Sequence, residues 1–121
     1  MVMKLLIIED ERTLSRSIAE YLGREEYLCE HAYTCAEARE KIAAYEYDCI
    51  LLDLMLPDGA GLDILREIKR IAPLTGVIIV SAKDSLEDII EGLKIGADDY
   101  LPKPFHLPEH IWRRERKKET V

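Results

Sequence analysis

No apolar run in this sequence approaches the roughly 20 residues that a membrane-spanning helix needs, and no basic stretch followed by an apolar segment opens it as a secretory leader would. A cytoplasmic protein with no membrane partner is expected. Cysteine is sparse: Cys29, Cys35 and Cys49 are odd in number and none forms a C-x-x-C pair, which argues against a disulfide framework and against a zinc site. His31, His106 and His110 form no cluster, so they are not expected to ligate metal. Positive charge is scarce outside one place. The segment "RRERKK" at 113–118 holds five of the 17 Lys and Arg, which leaves residues 1–112 with 12 basic and 22 acidic side chains, a net charge of −10. Such a body repels the phosphates that dominate nucleic-acid binding. Repeats and low-complexity stretches are absent, and 121 residues with 48% hydrophobic content fit one domain around one core.

What the chain does have is a regular alternation. "KLLIIE" (4–9), "LCEHAY" (28–33), "DCILLD" (48–53), "GVIIVS" (76–81) and "DYLPK" (99–103) read as strands. Between them lie helical spacings: Leu14, Ile18, Tyr21 and Leu22 up to a stop at Gly23; Ala38, Ile42 and Tyr45 within 35–45; Leu62, Leu65, Ile68 and Ile71 closed by Pro73; Leu86, Ile89, Ile90 and Leu93. Cys49 is expected in the core, and Glu11 and Arg12 in the first turn of the first helix, where an acidic group complements the dipole. Gly59 and Gly61 punctuate the loop after the third strand. Repeated βα units predict an α/β, doubly wound (βα)5 domain with a parallel sheet and helices on both faces.

In such sheets ligands gather beyond the carboxyl ends of the strands. Those ends carry Glu9, Asp10 and Glu11 after the first strand, Asp53 at the end of the third, Ser81 after the fourth and Lys103 after the fifth. Carboxylates gathered at one edge repel one another unless a cation or protons neutralise them. Magnesium suits hard oxygen ligands and commonly bridges to phosphate. A nucleophilic carboxylate, a metal and a lysine are the parts that phosphoryl transfer needs, with Asp53 as acceptor.

Four segments, "LLIIEDE", "DCILLDLMLPDGAGLDIL", "VIIVSAKD" and "GADDYLPKPF", occur in an order and spacing that resembles the receiver domain of two-component response regulators, over about residues 3–108. The resemblance implies the CheY-like (flavodoxin-like) fold with strand order 2-1-3-4-5. It implies that Asp53 is the phospho-accepting aspartate and that Asp10 is a direct Mg²⁺ ligand, with Glu9 acting through water and the Met55 main-chain carbonyl completing the protein ligands. Ser81 corresponds to the switch hydroxyl, Tyr100 to the aromatic switch and Lys103 to the phosphate-contacting lysine, with a Lys103–Pro104 bond that is usually cis. A sensor histidine kinase is the implied phosphodonor; small donors such as acetyl phosphate are expected to work slowly. Such a domain assists its own phosphorylation and dephosphorylation and is not a turnover enzyme.

The wording "LMLPDGAGLDIL" and "GADDYLPKPF" is most similar to OmpR/PhoB-type receivers. These dimerise through the face of the fourth helix, fifth strand and fifth helix, and they contact DNA only through an effector domain, which these 121 residues do not contain. Two departures stand out. Ile89 occupies a position where that subfamily commonly presents Arg, which removes a pairing with Glu109 and leaves Asp99 with Arg113. Beyond Ile111, Arg114, Lys117 and Lys118 interrupt the apolar stripe of the fifth helix, so residues 1–112 are expected to form the receiver and 113–121 a poorly packed basic tail or linker. Other readings weigh less. A flavin-binding module would need a first loop less acidic than "EDERT", and a haloacid-dehalogenase-like phosphatase would need an Asp where Met55 stands. A receiver that is never phosphorylated and serves only as an interaction module is the remaining alternative.

Overall fold

The structure is a computed structural model and describes residues 2–24, 26–82 and 86–103. Four expectations lie outside them: the fifth helix, the basic tail 113–121, the Lys103–Pro104 bond, and the pairings through Glu109 and Arg113. Strand β1 (Met3–Ile8) leads into α1 (Arg12–Arg24), β2 (Tyr27–Ala32), α2 (Cys35–Ala44) and β3 (Cys49–Asp53). Two short strands, β4 (Met55–Leu56) and β5 (Gly59–Ala60), precede α3 (Gly61–Ile71), β6 (Gly76–Ala82), α4 (Leu86–Ile95) and β7 (Asp99–Lys103). The main sheet is parallel throughout, in the order β2-β1-β3-β6-β7. That is the expected 2-1-3-4-5 order, because β4 and β5 pair only with each other as an antiparallel ribbon.

Central strands of such a sheet are covered on both faces, which explains their unbroken apolar runs. Successive side chains alternate between two cores. Leu6, Ile8, Ile50, Leu52, Val77 and Ile79 pack with residues of α2, α3 and α4. Leu5, Ile7, Cys49, Leu51, Ile78 and Val80 face the other way, where Ile18 and Leu22 of α1 cover them. Each fully buried Leu or Ile contributes about 1.5–3 kcal/mol relative to exposure.

The strands match the sequence reading closely, and the helix faces correct it. Helix α1 passes Gly23 and ends at Arg24; the chain then turns at Glu26, which adopts a left-handed φ of 67°. Glu11 precedes the first turn of α1 and accepts from Ser15 N–H through its carbonyl. Tyr45 lies beyond α2 and is exposed. Helix α3 buries Ile64, Leu65 and Ile68 and leaves Ile71 exposed. In α4 only Ile89 and Gly92 are buried, while Leu86, Ile90 and Leu93 point outward. Gly92 accounts for that orientation: a Cβ there would come within 2.3 Å of Ile79 Cδ1, so the missing side chain lets this edge of α4 settle on the sheet. Ile89, 2% exposed, is therefore a core residue and not a surface substitute for Arg. Among the described residues, no helix is long and apolar enough to cross a membrane.

Candidate functional site

The carboxyl ends of β1, β3, β6 and β7 meet at one edge of the sheet because the strands are parallel and in near-level register: Ile8 lies opposite Leu52, Asp53 opposite Val80, and Ala82 opposite Lys103. Glu9 follows β1 and is fixed by its N–H donating to Ala32 O at 3.0 Å. Asp53 ends β3, Ser81 is the penultimate residue of β6 and Lys103 ends β7. The sheet thus brings together side chains separated by as many as 94 residues of sequence.

Glu9, Asp53 and Ser81 are only 3%, 5% and 0% exposed, an unusual concentration of polar groups in a protein interior. Lys103 holds the two acids together: its Nζ lies 2.5 Å from Glu9 Oε1 and 3.1 Å from Asp53 Oδ2. Burial would lower the lysine pKa, but hydrogen bonding and charge from Glu9 and Asp53 outweigh it and hold the value above the ordinary one. The other oxygens are also engaged. Asp53 Oδ1 accepts from Met55 N–H at 3.0 Å, and Glu9 Oε2 accepts from Glu11 N–H at 3.1 Å.

Asp10 is exposed and completes an acidic group: one ligand oxygen from each of Glu9, Asp10 and Asp53 lies within 4.8 Å of the others. One lysine does not neutralise three carboxylates, and hard oxygen donors at this spacing suit a small divalent cation. Ser81 Oγ is buried and has no hydrogen-bond partner among the described residues. A buried hydroxyl without a partner carries a desolvation penalty, typically about 1–3 kcal/mol, unless a ligand or a second state satisfies it. Tyr100 lies opposite Ile79 on β7, half-buried, and packs against the core beneath α2, α3 and α4. Strand alternation places it on the same face as Ser81, which stands opposite Pro102.

Two residues at this edge did not stand out in the sequence. Gly61 begins α3 directly beneath Asp53, where an added Cβ would meet Asp53 O at 2.4 Å and Leu54 Cα at 2.6 Å. Asp58, in the loop between β4 and β5, accepts from Cys35 N–H at 2.7 Å and Ala36 N–H at 3.1 Å, which ties that loop to the start of α2. A polar residue after Pro57 was the only sequence signal for the second, and the reading of Gly59 and Gly61 as loop punctuation missed the steric role of the first.

Edge carboxylates, a bridging lysine and a buried hydroxyl thus meet on a five-stranded parallel sheet, and comparison with known proteins gives this arrangement a family. The family model for the response regulator receiver domain matches residues 5–113, and the chain belongs to that family. Among curated proteins it is 41% identical over 111 residues to the transcriptional regulatory protein CutR of Streptomyces coelicolor, covering 92% of this chain and 51% of CutR. Among solved structures it superposes on the response regulator DrrB, a Thermotoga maritima OmpR/PhoB homologue, with a TM-score of 0.86 and 28% identity, over 99% of this chain and 54% of DrrB. A response regulator from Burkholderia pseudomallei, solved with a phosphorylated aspartic acid, a calcium ion and citrate, gives a TM-score of 0.84 at 25% identity, over 90% of this chain and 64% of that one. The chain spans about half the length of the curated relatives it matches. Receiver domains are regulatory modules, and the resemblance drawn from the four sequence segments agrees with this membership.

Proposed function

We propose that the chain is a phospho-accepting switch of an OmpR/PhoB-type two-component regulator, in the cytoplasm, with Asp53 as acceptor and a sensor histidine kinase as donor. The observation that carries the proposal is the placement of a 5%-exposed Asp53 carboxylate against Lys103 and within an acidic group that includes Glu9 and Asp10. Supporting it, the Burkholderia neighbour holds both a phosphorylated aspartic acid and a divalent ion.

Asp10 and Asp53 with the Met55 carbonyl, and Glu9 through water, are the groups that would hold Mg²⁺, which when bound supplies positive charge to the oxygens of the transferring group. Asp53 supplies the nucleophilic oxygen: its bond to phosphorus forms as the donor's P–N bond breaks, and the electron pair leaves with the imidazole. Lys103, already paired with Asp53, is within reach of the incoming phosphoryl oxygens and offsets their charge as a point cation. The side chains stand prearranged, so little reorganisation is needed at the moment of transfer.

Phosphorylation adds about 1.5–2 negative charges and three acceptor oxygens. Ser81 Oγ, buried without a partner, gains one by turning toward a phosphoryl oxygen. Tyr100, on the same face, then has room to rotate inward, and the surface formed by α4 and β7 changes population. The outward Leu86, Ile90 and Leu93 of α4 give that surface an apolar patch suited to a homodimer contact. Control of transcription would follow through an effector domain outside these residues.

The test is intact-mass spectrometry after incubation with acetyl phosphate and millimolar Mg²⁺. One added phosphoryl group is expected on the native chain, none on Asp53→Asn and none after chelation of divalent ions. An unmodified native chain that also accepts nothing from a histidine kinase would refute the proposal.

A further inference from the structure

The loop that leaves Asp53 must deliver the Met55 backbone to the same spot in every molecule, because Met55 N–H bonds Asp53 Oδ1 and the Met55 carbonyl is the metal ligand on the reading above. Residues 54–60 contain little that could hold such a path. Met55 is 67% exposed, Pro57 through Ala60 are exposed, and the β4–β5 ribbon is two residues long on each side. A ribbon that short has no independent stability. Two anchors lie near the ends: Gly61 N–H donates to Leu54 O at 2.9 Å, and Asp53 holds Met55. At the tip, among the described residues, the side-chain hydrogen bonds come from Asp58, whose carboxylate spans 22 and 23 residues of sequence to reach Ala36 and Cys35 N–H.

Those two donors are ones that a local cap does not satisfy. The first N–H groups of a helix lack intrahelical acceptors. In α2, Thr34 Oγ1 accepts from Glu37 N–H at 3.1 Å, as an N-cap residue does. Cys35 and Ala36 N–H remain, and Asp58 takes both, its negative charge facing the positive end of the helix dipole. These bonds hold the Asp58 carboxyl below its ordinary pKa, chiefly through Cys35 N–H. Gly59 fits tightly at the same crossing, where a Cβ would stand 3.1 Å from Cys35 Sγ.

We propose that Asp58 is a positioning residue for the Asp53 site: by fastening the 54–60 loop to the start of α2, it fixes the Met55 backbone beside Asp53 and so sets affinity for the divalent cation. This rests on the reading of Asp53 as a metal-dependent phosphoryl acceptor. A group that orients a ligand from behind typically changes metal affinity by about 10-fold to 100-fold when removed. Because Asp58 acts on Met55 through two intervening residues, Leu56 and Pro57, the lower end of that range is expected.

The comparison that isolates positioning from helix stability uses both caps of α2. Asp58→Ala and Thr34→Ala each remove a cap from the same helix, but only the first releases the loop. Isothermal titration with Mg²⁺ is expected to give a dissociation constant raised about tenfold for Asp58→Ala, partly restored in Asp58→Asn, and unchanged within about twofold for Thr34→Ala. In metal-free protein, amide hydrogen exchange at Met55 and Leu56 should quicken in Asp58→Ala and stay native-like in Thr34→Ala. Native Mg²⁺ affinity with native exchange in Asp58→Ala overturns the inference alone, as does equal weakening by Thr34→Ala. Absence of Mg²⁺ uptake by the native chain overturns the parent reading and this inference with it.

Discussion

Gly61→Ala adds one methyl group at the first residue of α3, and the structure says where it goes: 2.4 Å from the carbonyl oxygen of Asp53, 3.1 Å from its carbonyl carbon and 2.6 Å from Leu54 Cα. Ordinary contacts between nonbonded carbons lie at about 3.5–4.0 Å, so the intrusion is about 1 Å. All three neighbours are backbone atoms, which cannot step aside by changing rotamer. Either α3 backs away, stretching the 2.9 Å bond from Gly61 N–H to Leu54 O, or the peptide after Asp53 shifts. Overpacking costs about 1–3 kcal/mol, and a weakened hydrogen bond about 1 kcal/mol more. The gain of Ala over Gly in a helix, about 0.5–1 kcal/mol, offsets part of that. The net loss is about 1–3.5 kcal/mol, equivalent to a drop in melting temperature of roughly 4–14 °C for a domain of this size. Because the displaced peptide carries Asp53, the rate of phosphorylation by acetyl phosphate should fall by up to about 100-fold, the usual cost of an ångström of misplacement. Gly23→Ala is the control: beyond its chain neighbours and the backbone of its own helix, no atom of the described residues lies within 4 Å of the added Cβ, and the position is inside α1, so stability should rise by about 0.5–1 kcal/mol. Thermal unfolding and a time course of intact mass measure both effects. A Gly61→Ala protein with native stability and native phosphorylation rate would refute the steric reasoning.

Two further outcomes follow from the charges. Lys103→Met leaves the buried Glu9 and Asp53 carboxylates facing each other without their shared cation, and should cost about 2 kcal/mol in urea unfolding with a chelator present; millimolar Mg²⁺ should restore part of the loss, and equal curves with and without the ion would contradict a metal role for the cluster. His31 sits beside buried Ser15, with Ser15 Oγ 2.5 Å from its Nδ1, and burial followed by the charges of Lys41 and Arg16 lowers its pKa from 6.5. The unfolded chain therefore binds the proton more readily, so this contribution to stability is whole above pH 6.5 and is lost as pH falls from there through the lower folded value. Urea midpoints at pH 7.5 and 5.5 should show the decline, and His31→Gln should flatten it.

The parallel sheet was legible because its central strands are apolar on both faces and little else produces runs such as "CILL" and "VIIV". The site was legible for a related reason: once the strands are parallel, every residue at a carboxyl end falls on one edge, whatever its separation in sequence. Helix faces were harder. An apolar stripe wider than the contact it makes does not say which of its edges is buried, and in α4 the answer depended on a residue with no side chain, Gly92, meeting Ile79. Gly61 and Asp58 were hidden for a different reason. Their significance lies in partners, the Asp53 carbonyl and the N–H groups of Cys35 and Ala36, that only the path of the chain brings near.

The placement of Lys103 bears on how the proposed signal would leave the site. Its ammonium group is shared between Glu9 and Asp53, so any transfer of Asp53's charge onto phosphoryl oxygens changes the balance that holds the end of β7. Tyr100 lies three residues earlier on that strand, and Ser81 stands opposite Pro102 between them. A strand cannot relax independently at positions this close while its ladder to β6 is intact. On the proposed reading, the lysine and the serine would both bear on the tyrosine through this stretch of β7. On that reading Lys103 serves both states, bridging Glu9 and Asp53 before modification and facing the phosphoryl oxygens after it, whereas the Ser81 hydroxyl gains a partner only after it. The serine, then, is the group whose bonding differs between the two states, and it would tie the position of Tyr100 to modification of Asp53.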